Sequence, residues 1–176
     1  MIRMLVPACA LVLVTALPAT AQTKVVADVL ARAAAGSFRN LVESADKMPE
    51  ADYGFRATPE TRTFAGFVGH TINSAYNNCS RAKGEPNPNT ADLEQETSKA
   101  ALVAAAKAVQ AYCEAVYAAQ TDASLSEMVM AGQNQVPRAQ LLVGIIAHNN
   151  NEYGQKVILL RLKGLVPPTT ERAQQR

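Results

Sequence analysis

The 176-residue chain carries 17 Lys and Arg against 15 Asp and Glu, a formal net charge of +2, with 48% hydrophobic and only 5% aromatic residues. The charges are scattered singly, with no basic stripe, so the electrostatic footprint of a nucleic-acid binder is missing. Beyond the first residues no apolar stretch is long enough to span a bilayer.

The amino terminus reads as an export signal. Arg3 supplies the positive start, Met4 to Leu17 is almost wholly apolar, and Ala19-Thr20-Ala21 is a small-x-small cleavage site. The expected cut follows Ala21, making residues 1–21 a signal peptide and the remainder periplasmic or secreted, with no stable membrane insertion after cleavage. Pro7 and Pro18 argue against a membrane anchor, and too few residues precede Cys9 for a lipidated cysteine. The remainder, from Gln22, is long enough for one domain with a continuous core. Export permits disulfides, and this part of the chain holds two cysteines, Cys79 and Cys113.

Four segments have helical periodicity, and Gly, Pro and Asn cluster between them. The first helix is expected from about Lys24 to Ser44, with Val25, Val29, Phe38, Leu41 and Val42 among its apolar positions, ending before Met48-Pro49. The second opens at Thr58-Pro59-Glu60, which reads as a threonine cap, a proline at the first helical position and an acid near the positive helix end. Gly84, Pro86 and Pro88 stop it after Lys83. The third, Ser98 to Gln120, is alanine-rich, and the fourth runs from Pro137 to Lys163-Gly164 after a link without alternation. The tail, residues 169–176, is expected to be loose. Four helices of roughly 30 to 40 Å predict an all-α protein, most simply a four-helix bundle spanning residues 22–168.

Steps of four and three along the fourth helix give the stripe Leu141, Ile145, His148, Glu152, Gln155, Leu159, Leu162, apolar at both ends and polar in the middle. Burying an imidazole and a carboxylate without partners costs several kcal/mol. A metal ion, a wet cavity or a hydrogen-bond network would each compensate. The i, i+4 spacing stacks His148 and Glu152 on one face. The other histidine, His70, lies in the stripe Phe67, His70, Ser74, Asn77 of the second helix. Facing one another, His70, His148 and Glu152 form a two-histidine, one-carboxylate set with open positions, suited to a divalent transition metal such as zinc, nickel or iron. Two metal-free readings stand beside it. His70 sits on a solvated face while Phe64, Val68, Ile72, Ala75 and Cys79 form the buried one, or His148 and Glu152 bond to each other and to Gln155. Tyr153, Gln155, Asn77, Asn73 and Asn149 are candidates for orienting the ligands.

The run Gly69-His70-Thr71 with Tyr76 and Cys79, the later segment from Ala147 through His148 and Glu152 to Gln155, and the ending Leu160 to Pro168 together resemble the DinB-like (DinB/YfiT-like) metal-binding four-helix-bundle family, in an exported bacterial subgroup. The resemblance implies an up-down-down-up bundle. It also implies metal ligands at His70, His148 and Glu152, the last standing where the family has a histidine. Better-understood members are thiol-dependent transferases or isomerases, and with the candidate metal set the first expectation is a metal-dependent transferase or hydrolase acting on a small molecule of unknown identity. The alternative is a non-catalytic metal- or ligand-binding module with a degenerate site. Parallel second and third helices would bring Cys79 and Cys113 to similar heights, so the resemblance also implies a bridge between them, against two buried free thiols. A homodimer is compatible with a small bundle, but no seam marks one.

Overall fold

The computed structural model describes residues 23–175, so the expected signal peptide lies outside the described residues. The long helices are α1 (Val25–Lys47), α2 (Phe64–Lys83), α3 (Lys99–Ala118) and α4 (Arg138–Leu162), followed by a short α5 (Pro168–Gln174). None is long and apolar enough to cross a membrane. Short 3-10 turns cover Glu50–Asp52, Leu93–Gln95 and Ser124–Ser126.

Hydrogen bonds at the helix ends define the directions. Lys99 at the start of α3 donates to the Asp46 carbonyl near the end of α1, and Asp122 beyond α3 donates from its backbone to Thr23 before α1, so these two run antiparallel. Arg138 at the start of α4 donates to the Ala82 carbonyl near the end of α2, which makes α2 and α4 antiparallel, and it also reaches Gln120 and Ser124 beyond α3. Both α2 and α3 therefore end near the start of α4. Asn149 meets Ser37, and Lys163 meets Asp52, so α1 and α4 are parallel. The order is up-down-down-up, with α1 packed mainly on α3 and α4 and α2 on the same two.

The core is built from the apolar faces read in the sequence. Phe38 and Leu41 of α1, Phe64, Val68, Ile72, Ala75 and Cys79 of α2, and Leu142 and Ile145 of α4 are all buried. Val25 and Val29 are exposed, whereas Ala27 between them is buried, so the inward face of the start of α1 carries the alanine and not the valines. Cys79 and Cys113 form a disulfide with their Cα atoms 5.7 Å apart, joining the parallel α2 and α3.

Three local expectations need correction. First, α2 starts at Phe64, not at Thr58. Thr63 is its cap, its Oγ1 accepting from the Gly66 amide at 3.0 Å. The amides of Phe64 and Ala65 donate to the carbonyls of Phe55 and Tyr53, so the preceding chain satisfies the free donors of the first turn. The Thr58 to Thr61 segment closes on itself as a separate turn. Second, the link before α4 contains an antiparallel hairpin, β1 (Met128–Ala131) with β2 (Asn134–Pro137). Its strands of four residues are too short to announce alternation. Third, the tail is ordered as α5: Tyr153 binds both the amide and the hydroxyl of Thr169, Lys47 pairs with Glu171 at 2.8 Å, and Arg172 pairs with Glu43.

The down-down step between α2 and α3 requires the chain to travel the length of the bundle between them. That crossover, residues 84–98, starts at Gly84, which closes α2 with φ 79°, a left-handed conformation that glycine adopts without strain. It then runs back along α2 toward His70, and the Leu93–Gln95 turn packs on that helix.

Candidate metal centre

His70 stands in the first half of α2, at the edge of its buried face. Its neighbours Gly69 and Thr71 are buried, while its own side chain keeps 26% of its exposure. On the antiparallel α4, His148 and Glu152 point to the same place. The two imidazoles meet through their Nε2 atoms at 3.2 Å, and Glu152 Oε1 lies 3.8 Å from His148 Nε2. One ligand atom from each of His70, His148 and Glu152 falls within 4.8 Å of the others. The structure thus brings together the three residues singled out in the sequence, at a point where both histidines retain contact with solvent.

Glu152 is the most demanding of the three. It is 6% exposed, and its Oε2 has no hydrogen-bond partner among the described residues. The 3.8 Å approach of Oε1 to His148 is too long for a hydrogen bond. A buried carboxylate left in this state costs several kcal/mol unless a cation is near. His148 does not supply one readily. Burial holds its imidazole below the ordinary histidine value, and His70, Lys156 and Arg62 push the same way against the pull of Glu152. A neutral imidazole keeps a lone pair, as a metal ligand must.

The donor set fits a first-row metal. Two ligand nitrogens on one tetrahedral zinc, each bonded at about 2.0–2.1 Å, stand about 3.3 Å apart. The observed 3.2 Å between the two Nε2 atoms matches this spacing, and the orphaned carboxylate supplies the negative charge. The three side chains would hold the ion from one side.

Two residues that sequence reasoning missed complete the surroundings. Glu94, in the crossover, lies with Oε1 2.6 Å from His70 Nδ1 and takes a second hydrogen bond from Arg62 Nε to Oε2 at 3.0 Å. Burial works to raise its carboxyl, but the bonds and charges of His70 and Arg62 outweigh this and hold it below the ordinary carboxylate range. Nothing local in a polar, aperiodic connection marks such a residue. Lys156 is fully buried one turn beyond Glu152, and its Nζ donates to Thr71 Oγ1 at 2.9 Å. Burial lowers its ammonium to about 7, with Glu152 opposing. Lys156 did leave a signal. Steps of 3.5 residues carry the polar stripe from Glu152 to Gln155, whereas a helix of 3.6 residues per turn carries it to Lys156. Gln155 is exposed.

Three of the other candidate orienting residues serve elsewhere. Tyr153 ties α4 to Thr169, Asn149 donates to Ser37 at 3.4 Å, and Asn77 lines a shallow hollow of about 330 Å³ beside Asn73 and Asn89.

Against known families, the sequence model described as the DinB superfamily matches residues 33–155, a span that includes all three candidate ligands. The chain belongs to the DinB superfamily. Solved structures share this DinB fold. A DinB-like protein from Bacillus cereus ATCC 10987 superposes with a TM-score of 0.66 at 20% identity, covering 75% of this chain and 89% of that one. A mycothiol-dependent maleylpyruvate isomerase superposes with a TM-score of 0.60 at 14% identity, covering 73% of this chain but 60% of its own length. At these identities the likeness extends to the fold. No curated protein matches the sequence.

Proposed function

We propose that this DinB protein binds one divalent transition metal, zinc, nickel or iron, through His70, His148 and Glu152, and that it is exported and uses the metal as a transferase or hydrolase acting on a small molecule. The observation that carries the reading is the unpartnered Glu152 carboxylate facing two imidazole nitrogens 3.2 Å apart. A bound metal of this kind polarises an oxygen or stabilises a thiolate in its open position. This chain's own contribution is to keep His148 neutral by burial, to exclude water from the Glu152 side, and to leave the histidine side open to solvent. The solved isomerase with the same fold is described as mycothiol-dependent. That description supports a thiol-using reaction as one class to screen, together with hydrolysis.

A second reading, a non-catalytic binding module with a degenerate site, is favoured by Lys156. Its buried ammonium lies within electrostatic range of Glu152 and supplies part of the positive charge that a metal would bring. Metal analysis separates the two. Protein purified without an affinity tag is expected to carry near-stoichiometric transition metal, and His148→Ala is expected to lose it. If the wild-type protein takes up none at micromolar zinc, nickel or iron, the metal reading fails and the lysine-balanced site stands.

A further inference from the structure

We propose that the crossover segment from Asn89 to Gln95 is a positioning strap, in which Glu94 holds His70 as its Nδ1–H tautomer and thereby turns the Nε2 lone pair toward His148 and Glu152. The tautomer follows from contacts at one atom. His70 Nδ1 lies 2.6 Å from Glu94 Oε1 and 3.4 Å from Arg62 Nη2. A carboxylate oxygen only accepts, so a contact of 2.6 Å requires the proton on Nδ1. With the lone pair there instead, two electron-rich atoms would face each other well inside contact distance. The Arg62 approach is then donor to donor and is not a hydrogen bond, and Arg62 acts through its Nε bond to the other Glu94 oxygen.

The strap is built for this contact. A Cβ added at Gly69, the residue before His70, would lie 1.9 Å from the Leu93 carbonyl oxygen, 2.4 Å from its carbon and 2.8 Å from the Glu94 nitrogen. The crossover backbone thus occupies the space of the side chain that Gly69 lacks, and this places Glu94 over the next residue of the helix. One turn further along, Asn73 clamps the same segment. Its Oδ1 accepts from the Leu93 amide at 3.3 Å and from Asn89 Nδ2 at 3.1 Å, while its Nδ2 donates to Asp92 Oδ1 at 2.9 Å. Asp92 in turn accepts from the Glu94 amide at 3.1 Å. Gly69 and Asn73 therefore flank His70 along α2, one by making room and the other by hydrogen bonding. A carboxylate that orients a ligating imidazole typically changes metal affinity by about 10–100-fold when removed.

The tautomer stands independently of the metal reading, whereas its purpose rests on it, and the test reads the two separately. The full chain, labelled with nitrogen-15 and stripped of metal, is examined above neutral pH by two-bond proton–nitrogen correlation of the histidine rings. The wild type is expected to show His70 protonated at Nδ1. Glu94→Ala is expected to move the proton to Nε2, the site favoured in free histidine, and Glu94→Gln to keep it on Nδ1, because an amide oxygen also accepts. Gly69→Ala should behave like Glu94→Ala without altering any hydrogen-bonding side chain. Asn73→Ala, with fold checked by circular dichroism, serves if Gly69→Ala does not fold. Zinc affinity, measured by competition with a chromophoric chelator, is expected to fall about 10–100-fold in Glu94→Ala and to be largely restored in Glu94→Gln. A wild-type His70 protonated at Nε2, an unchanged tautomer in Glu94→Ala, or equal zinc affinity in wild type and Glu94→Ala overturns the strap. An Nδ1–H tautomer that depends on Glu94, in a protein that binds no zinc at all, upholds the strap's hold on His70 and overturns the metal reading instead.

Discussion

An ammonium taken fully out of water loses its hydration, and Lys156 has the Thr71 hydroxyl in exchange. The consequence is a stability that depends on pH with a definite sign. In the unfolded chain the lysine titrates near its usual value of about 10.4, while in the fold burial lowers it to about 7. Between those values the unfolded state binds more protons, so the group's contribution to stability rises with pH across that window and is lost as pH falls toward 7. Lys156→Met keeps a similar shape and removes the charge. It also removes the titration, so the stability of the metal-free variant relative to the wild type is expected to fall by about 1–3 kcal/mol as pH rises from about 7 toward about 10, because only the wild type gains stability across that window. Urea denaturation of both proteins across the pH range checks this, and a stability difference that stays constant with pH would refute it.

Helices here are closed by contacts that differ in how far along the chain they reach. Thr63 caps α2, and Thr63→Ala should cost about 1 kcal/mol. Thr58→Ala should cost less than about 0.5 kcal/mol, since Thr58 belongs to an exposed turn outside the helix. Chemical denaturation that ranks the two in the opposite order would restore the earlier helix start. The docking of α5 gives a second comparison. Tyr153→Phe removes the hydroxyl that holds Thr169 and should lower stability by about 1 kcal/mol. Zinc affinity should be unchanged, because that hydroxyl has no contact with the ligands. A tenfold loss of zinc binding in this variant would return Tyr153 to the site.

At the scale of the whole molecule, the bundle order and the disulfide depend on each other. Parallel α2 and α3 bring Cys79 and Cys113 to one level, and the bridge closes a loop across a sequence separation of 34. Loop-closure entropy for that length corresponds to about 3–4 kcal/mol. The purified protein is therefore expected to gain two mass units on reduction and to melt at lower temperature, and two free thiols in the native protein would exclude the bridge.

The helices and the faces they bury were legible in the sequence because their causes are local: periodicity, alanine content, and glycine and proline at the ends. His148 and Glu152 stood out for the same reason, as polar residues in an apolar stripe four positions apart. The polar stripes of α2 and α4 offered His70 as a facing partner, but the disulfide needed the helix order, which entered through the family resemblance, since no spacing along one helix shows which other helix it faces. The start of α2 was misread because Thr58-Pro59-Glu60 satisfies local capping chemistry as well as Thr63 does, and only the carbonyls of Tyr53 and Phe55 folding back decide between them. The sequence by itself determined a helical chain with a polar interruption on its last long helix. The tertiary structure alone decided that a crossover forced by the down-down step would lay Glu94 on His70, and that Lys156 would be sealed beside Glu152, because both depend on where distant segments meet and on how much water they leave.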